Sequence, residues 1–325
     1  MLEIAVIGAG RIGQIHARNI AAHQGAVLVG IADPDADAAA RLAQACGSKV
    51  IALDDAFRAQ AVLIGSPTPT HADFIERAAQ AGQAIFCEKP VDLSLARVDA
   101  CIATVQRAGV ALMVGFNRRF DPHFAELKRR LDAGAVGNLE MLTIISRDPS
   151  PPPASYVAVS GGLFRDMMIH DLDMARFLLG EEPVAIHAAA SCLVNPEIGA
   201  AGDVDTAMVT LRTASGRLCQ ISNSRRATYG YDQRIEVHGA AGMLRAGNVP
   251  TSTVEVATAA GMTGDPVLPF FLERYAAAYR AELDYFITEV AAGRHPAPSG
   301  ADGRAALRLA DAATESARSG QVVAL

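Results

Sequence analysis

Gly8-Ala9-Gly10-Arg11-Ile12-Gly13, a complete G-x-G-x-x-G, follows directly on the apolar run Leu2-Glu3-Ile4-Ala5-Val6-Ile7. The run is short and rich in β-branched residues, which predicts a buried strand. Ile12, Ile15 and Ile20 recur at helical spacing behind the loop, so the loop opens a helix. Ala26-Val27-Leu28-Val29-Gly30-Ile31-Ala32 predicts a second strand that ends in Asp33, twenty residues after Gly13. Gly8 permits the tight turn, Gly10 lets a pyrophosphate approach the backbone, and Gly13 lets helix and strand pack closely. The helix N-terminus, through the N–H groups of Arg11 and Ile12, faces the phosphates. Asp33 stands where a carboxylate accepts hydrogen bonds from the adenosine ribose. No arginine follows until Arg41 to neutralise a 2′-phosphate, which favours NAD over NADP. Strand, helix, second strand and acid at this spacing make the motif specific where an isolated glycine-rich turn is not.

Strand and helix patterns alternate from this loop to about residue 120. Short strands are expected at 50–52, 61–65, 84–87 and 110–114, with helices at 36–46, 71–81 and from Leu95 to Val105. Alternation of this kind predicts a parallel sheet covered on both faces. Ligands bind beyond the carboxyl ends of such strands. Ser66, Pro67 and His71 after one strand, and Glu88-Lys89-Pro90 after another, are therefore expected in the same crevice as the glycine loop.

Beyond residue 120 the pattern changes to α+β. A helix leads to a strand at 140–146 and the proline-rich stretch 149–153, and one helix is expected from about Asp166 to Leu179. Strand-like runs follow at 184–194, 204–212, 217–224, 234–238 and 253–257, with a hairpin turn at Gly239-Ala240-Ala241-Gly242. Helices at 270–292 and 305–317 close the chain. The expected organisation is an α/β Rossmann dinucleotide-binding domain (1–120), an α+β second domain with a largely antiparallel open sheet (121–300), and a C-terminal helix (301–325) packing back near the first domain. A sheet face that its own chain leaves uncovered predicts an oligomer.

The formal net charge of −6 leaves no basic footprint for nucleic acid or an anionic membrane. Five scattered cysteines, none in C-x-x-C spacing, argue against a disulfide framework or a zinc site and fit a reducing cytoplasm. No run reaches transmembrane length, and the N-terminus enters the first strand with no signal peptide pattern.

Candidate chemistry concentrates in Asp166-Met167-Met168-Ile169-His170-Asp171-Leu172-Asp173. On one continuous helix Asp166, His170 and Asp173 share a stripe, with Met168, Leu172, Ala175 and Leu179 nearly opposite. Three ionisable groups on an otherwise apolar helix are costly to bury unless paired or functional. Two carboxylates and a histidine would suit a cation, but no further His/Cys cluster supports a metal site, and none is expected. Lys89 stands at a strand end beside the cofactor crevice, where it can bind phosphate, pair with Glu88 or polarise a substrate hydroxyl.

Taken together, Gly8 to Gly13, Glu88-Lys89-Pro90, Gly115-Phe116-Asn117-Arg118-Arg119-Phe120 and Gly161-Gly162 with Asp166, His170 and Asp173 resemble the Gfo/Idh/MocA oxidoreductases. The likeness continues through 229–234, Glu273-Arg274-Tyr275 with Ala278-Tyr279, and Asp302-Gly303, so it spans essentially the whole chain. The later segments resemble the inositol 2-dehydrogenase branch. The resemblance implies that Lys89, Asp166 and His170 are catalytic, with Asp173, Tyr229 and Tyr231 near a bound polyol. It also implies a homotetramer, or a homodimer, through the second-domain sheets. Where some members read His-Arg-Asn-Pro, this chain has Ser146-Arg147-Asp148-Pro149, which bears on stereoisomer preference if Asp148 borders the polyol. Expected chemistry is NAD-dependent oxidation of a cyclic polyol, foremost myo-inositol to its 2-ketone. The rivals are another polyol or sugar dehydrogenase (scyllo-inositol, glucose, an amino-inositol), an NAD-retaining glycosidase and a non-catalytic NAD sensor.

Overall fold

The computed structural model describes residues 1–325, apart from the side chains at positions 154 and 158. The chain divides into two compact units, Met1–Phe120 with Ala278–Leu307, and Asp121–Ala277 with Arg308–Leu325.

In the first unit β1 (Leu2–Ile7), β2 (Ala26–Ala32), β3 (Ala61–Ile64), β4 (Ala84–Glu88) and β5 (Leu112–Gly115) form a sheet in the order β2-β1-β3-β4-β5. Every pairing is parallel. The helices α1 (Arg11–Ala22), α2 (Ala36–Ala45), α3 (Leu53–Ala56), α4 (His71–Gln80) and α5 (Leu95–Ala108) lie between the strands, and most of α12 (Ala276–Ala291) joins this unit. The strand expected at 50–52 is reduced to a single parallel bridge, Ile31 to Val50. Chain order reverses between β1 and β3, the switch point at which α/β sheets bind ligands. The core is the apolar face of these elements, with Ile4, Val6, Leu63 and Phe86 of the strands packed with Ile20, Leu283 and Phe286 of the helices.

The second unit contains α6 (Pro122–Asp132), β6 (Leu139–Arg147), α7 (Ala154–Ser160), α8 (Gly162–Asp166), α9 (Ile169–Leu179), β7 (Pro183–Ser191), α10 (Pro196–Ala200), β8 (Thr206–Thr213), β9 (Leu218–Ser224), β10 (Asp232–Gly239) and β11 (Gly242–Ala246). With β14 (Val323–Ala324) these strands form a seven-stranded sheet in the order β11-β10-β6-β9-β8-β7-β14, antiparallel except between β6 and β9. A separate hairpin joins β12 (Glu255–Thr258) to β13 (Gly261–Gly264), α11 (Phe271–Arg274) precedes α12, and α13 (Gly300–Ser319) is shared between the two units.

Strict alternation sets the two faces of the large sheet. Leu142 and Ile144 of β6, Val209 and Leu211 of β8, and Ile221 of β9 are buried. In register on the other face, Met243, His238, Met141 and Leu218 form one row across four strands. The three apolar members of that row, and Met208 of β8, are all more than 40% exposed.

Two helices are shorter than the periodicity predicts. The expected helix from Asp166 is divided at Met167-Met168, because the Leu163 carbonyl accepts from both Met167 N (3.0 Å) and Met168 N (2.9 Å). The second of these is an i→i−5 bond, a wide turn of the π type that changes the helical phase. The expected helix 270–292 is likewise divided at Tyr275, between α11 and α12.

Candidate active site

In the first unit the glycine loop is held by backbone contacts. Gly8 has φ +107°, and a Cβ there would lie 2.7 Å from the Gly65 carbonyl carbon and oxygen. A Cβ at Gly13 would lie 1.9 Å from the Gly8 oxygen. By contrast, a Cβ at Gly10 would meet nothing within 4 Å. Gly10 is also the N-cap of α1, with no side-chain cap and no acid in the first turn. The positive end of α1 thus faces the loop with no carboxylate beside it, and the loop fits a dinucleotide pyrophosphate. Asp33 fastens the same loop, its carboxylate accepting from Ala9 N (2.6 Å) and Asp35 N (2.8 Å). Its remaining lone pairs can accept ribose hydroxyls.

The ends of β3 and β4 complete this edge. Ser66 Oγ pairs with Thr70 Oγ1 at 2.7 Å, and Pro67 is exposed beside it. The buried His71 places Nδ1 2.7 Å from the Pro90 carbonyl and Nε2 2.7 Å from the Ser66 carbonyl. The ring thereby lies between the two strand ends, its N–H donating to one of the two carbonyls. Lys89 is half-buried immediately after β4, and the Lys89-Pro90 peptide is cis.

Behind Lys89, the Glu88 side chain turns into the core, where His16 Nε2 of α1 lies 2.7 Å from Glu88 Oε1. Glu282 of α12 is fully buried, 4.0 Å from the same nitrogen, and neither of its oxygens has a hydrogen-bond partner among the described residues. Burial first, and then the charge on Glu88, push the Glu282 carboxyl well above its ordinary range. The folded chain therefore keeps a proton that the unfolded chain loses above about pH 4.5, so stability is full below that pH and falls as pH rises towards the raised value. Glu282→Gln should remove this slope, which for one proton is at most about 1.4 kcal/mol per pH unit. The variant should melt above the parent at pH 8 and alongside it at pH 4. Parallel melting curves across that range would show that Glu282 carries no such proton.

In the second unit the candidates gather at the carboxyl ends of β6 and β9. Asp166, the last residue of α8, receives the Tyr156 hydroxyl on Oδ1 at 3.0 Å, and Arg225 Nη2 stands 3.5 Å from Oδ2. Arg225 follows β9 and is only 1% exposed. Nothing in Ser224-Arg225-Arg226 distinguishes it in the sequence from a surface arginine. His170 occupies the first turn of α9, with Asp173 one turn on, fully buried and 3.8 Å from Arg176 Nη1. The stripe predicted for one helix holds within α9 for His170 and Asp173, while Asp166 reaches the same edge from α8. Asp171, which the sequence did not single out, is buried and accepts from Asn223 Nδ2 at 2.9 Å. Asp148 is anchored at the end of β6 through its N–H to the Ser224 carbonyl, 2.9 Å. Tyr229 is half exposed and its hydroxyl donates to Asp232, with Arg147 Nη1 3.1 Å away. Tyr231 differs from its neighbour: its ring is buried, edge-on to Tyr275 at 5.9 Å and to Phe270 at 6.3 Å.

Residues 2–116 match the model of an oxidoreductase family with an NAD-binding Rossmann fold, and residues 124–245 match the GFO/IDH/MocA C-terminal domain. The inositol 2-dehydrogenase of Rhizobium meliloti is 53% identical over 97% of this chain and 96% of its own. The chain belongs to the GFO/IDH/MocA oxidoreductase family. Among solved structures, a myo-inositol dehydrogenase from Corynebacterium glutamicum superposes with a TM-score of 0.96 at 47% identity, covering 100% of this chain and 99% of that one. The scyllo-inositol dehydrogenase of Lactobacillus casei, solved with NAD(H) and scyllo-inositol, gives 0.92 at 29% identity with 100% and 99% covered. The cofactor of this Rossmann unit is NAD, as the open helix terminus and Asp33 anticipate. Among the described residues no helix is long and apolar enough to cross a membrane.

Proposed function

We propose that the protein oxidises one secondary alcohol of a cyclic polyol with NAD⁺, foremost myo-inositol to 2-keto-myo-inositol. The observation that carries this is likeness along nearly the whole chain to an inositol 2-dehydrogenase, and the presence of Lys89, Asp166 and His170 in the sequence supports it. NAD⁺ when bound supplies the hydride acceptor.

The chain's own residues divide the remaining work. His170 takes the hydroxyl proton as general base and returns it in the reverse direction, a task for which the imidazole side chain is the commonest choice. Lys89 donates to the same oxygen and offsets the negative charge that develops there. Asp166, itself steadied by Tyr156 and Arg225, orients His170 or holds a neighbouring hydroxyl. Asp148, Asp173, Tyr229 and Tyr231 contact the polyol, and the buried ring of Tyr231 limits its part to the hydroxyl. Gly8, Gly10, Arg11, Ile12, Gly13, Asp33, Ser66, Pro67, His71 and Lys89 form the cofactor side, and Glu88, whose side chain turns into the core, belongs to it only through its place in the chain beside Lys89.

We further propose a homotetramer or homodimer that covers the exposed row of Met243, Met141 and Leu218, in the cytoplasm. A monomer by light scattering at micromolar concentration would remove the assembly. The activity is tested by mixing purified protein with NAD⁺ and a panel of inositols and aldoses, and following NADH absorbance. Rapid NADH formation with myo-inositol and weak formation with glucose is expected. Turnover on scyllo-inositol or an amino-inositol alone would keep the chemistry and discard the substrate. Silence across the panel with NAD⁺ bound would discard both.

A further inference from the structure

We propose that the His16–Glu88 hydrogen bond positions Lys89 against the glycine loop, making His16 and Glu88 positioning residues for the reaction. The inference rests on the role given to Lys89 above.

His16 lies on α1 one turn beyond Gly13, so it is rigidly tied to the loop that opens that helix. Glu88 is the last residue of β4 and the immediate neighbour of Lys89. Their 2.7 Å contact links these two functional segments through side chains. Its surroundings are fixed on every side. The His16 ring packs against Phe86 at 5.0 Å and edge-on to Tyr279 at 5.6 Å. Gly115 stands opposite Glu88 in the parallel register, and a Cβ there would lie 3.0 Å from the Glu88 Cδ. A side chain at that position would press the carboxylate aside by a few tenths of an ångström.

Stability gives no reason for this cluster. Buried ionic groups are often replaced by apolar residues of similar volume at no loss, and sometimes with a gain. The fully buried Glu282 adds a further cost because its oxygens lack partners. As the neutral acid, 4.0 Å from His16 Nε2, it does not compete as an anion for the imidazole and leaves the bond to Glu88. What the cluster secures is a fixed separation between the loop and the strand end. A cation among the three groups is a poorer account. Two ligands each about 2.1 Å from a tetrahedral ion stand about 3.4 Å apart, whereas His16 and Glu88 are at hydrogen-bond distance.

The test is NADH affinity by fluorescence titration of the full-length protein, together with kcat and melting temperature. His16→Phe and Glu88→Met both remove the bond while filling its space, and either serves if the other fails to fold. Glu88→Gln keeps an acceptor for the imidazole N–H. Each bond-breaking variant should weaken NADH binding about tenfold and lower kcat by at least as much, while Glu88→Gln stays within about threefold of the parent. The inference is overturned if a folded bond-breaking variant binds NADH like the parent with only a lower melting temperature. It is also overturned if Glu88→Gln is as impaired as Glu88→Met, or if the purified protein carries a stoichiometric metal ion that Glu88→Met loses. A parent protein that binds NADH but oxidises no polyol would remove the proposed activity, and the NADH titrations would still decide the positioning role.

Discussion

His170→Ala should lower kcat on myo-inositol by about 10²–10⁴-fold, the usual worth of a positioned general base, with NADH affinity changed by less than about twofold. The structure makes this a clean deletion. α9 is anchored by Leu172, Ala175 and Leu179, and the turn before it by Met168, all at most 1% exposed. His170 itself is only half-buried in the first turn, so its removal leaves that packing intact. The contacts that hold the glycine loop, Gly8 N–H to the Ala32 carbonyl and Ala9 N–H to Asp33, lie within the first unit, so the loop should keep its shape and its affinity. Stopped-flow or steady-state NADH formation beside an NADH titration separates the two effects. Turnover at the parent rate would assign the proton to another group, and a matching loss of NADH binding would make the residue structural.

The second large effect distinguishes two glycines of one motif. Gly13→Ala should abolish NAD binding and destabilise the first unit by about 1–3 kcal/mol or more, as overpacking does. Its Cβ would lie 1.9 Å from the Gly8 oxygen and 2.8 Å from the Gly8 carbonyl carbon. These are backbone atoms of a residue whose own N–H is bonded to the Ala32 carbonyl at 2.9 Å, so no flexible side chain can yield. Gly10→Ala should melt with the parent, since φ is −68° and nothing lies within 4 Å of the new carbon. It should nevertheless weaken NADH binding at least about tenfold, because the methyl group occupies the approach to the open helix terminus. If Gly10→Ala kept full affinity, the pyrophosphate would have to lie elsewhere.

The glycine loop was legible because its function is local. Three glycines, a strand before and a helix behind specify one turn, and Asp33 falls at the interval the fold requires. Asp33 also bonds the loop backbone at Ala9, a contact that composition and spacing give no means to foresee. The open sheet was legible in its alternation, and the row of Met243, Met141 and Leu218 shows its uncovered face. The break at Met167-Met168 was not legible. Neither residue is a helix breaker, and the doubled bond to Leu163 arises from tertiary fit. Tyr229 and Tyr231 looked equivalent in sequence, yet one is half exposed and the other packs against Tyr275. Arg225, and the meeting of Glu88 with His16 and Glu282, were invisible for a plainer reason. Their partners lie far away along the chain, and a buried arginine or glutamate is written with the same letter as a solvated one.

The most direct measurement is to incubate the protein with NAD⁺ and myo-inositol deuterated at C2, then analyse the cofactor by mass spectrometry. Hydride transfer from the carbinol carbon predicts one deuterium in each NADH formed, with 2-keto-myo-inositol as the matching product. NADH without deuterium, or no NADH with the inositol unchanged, would contradict it.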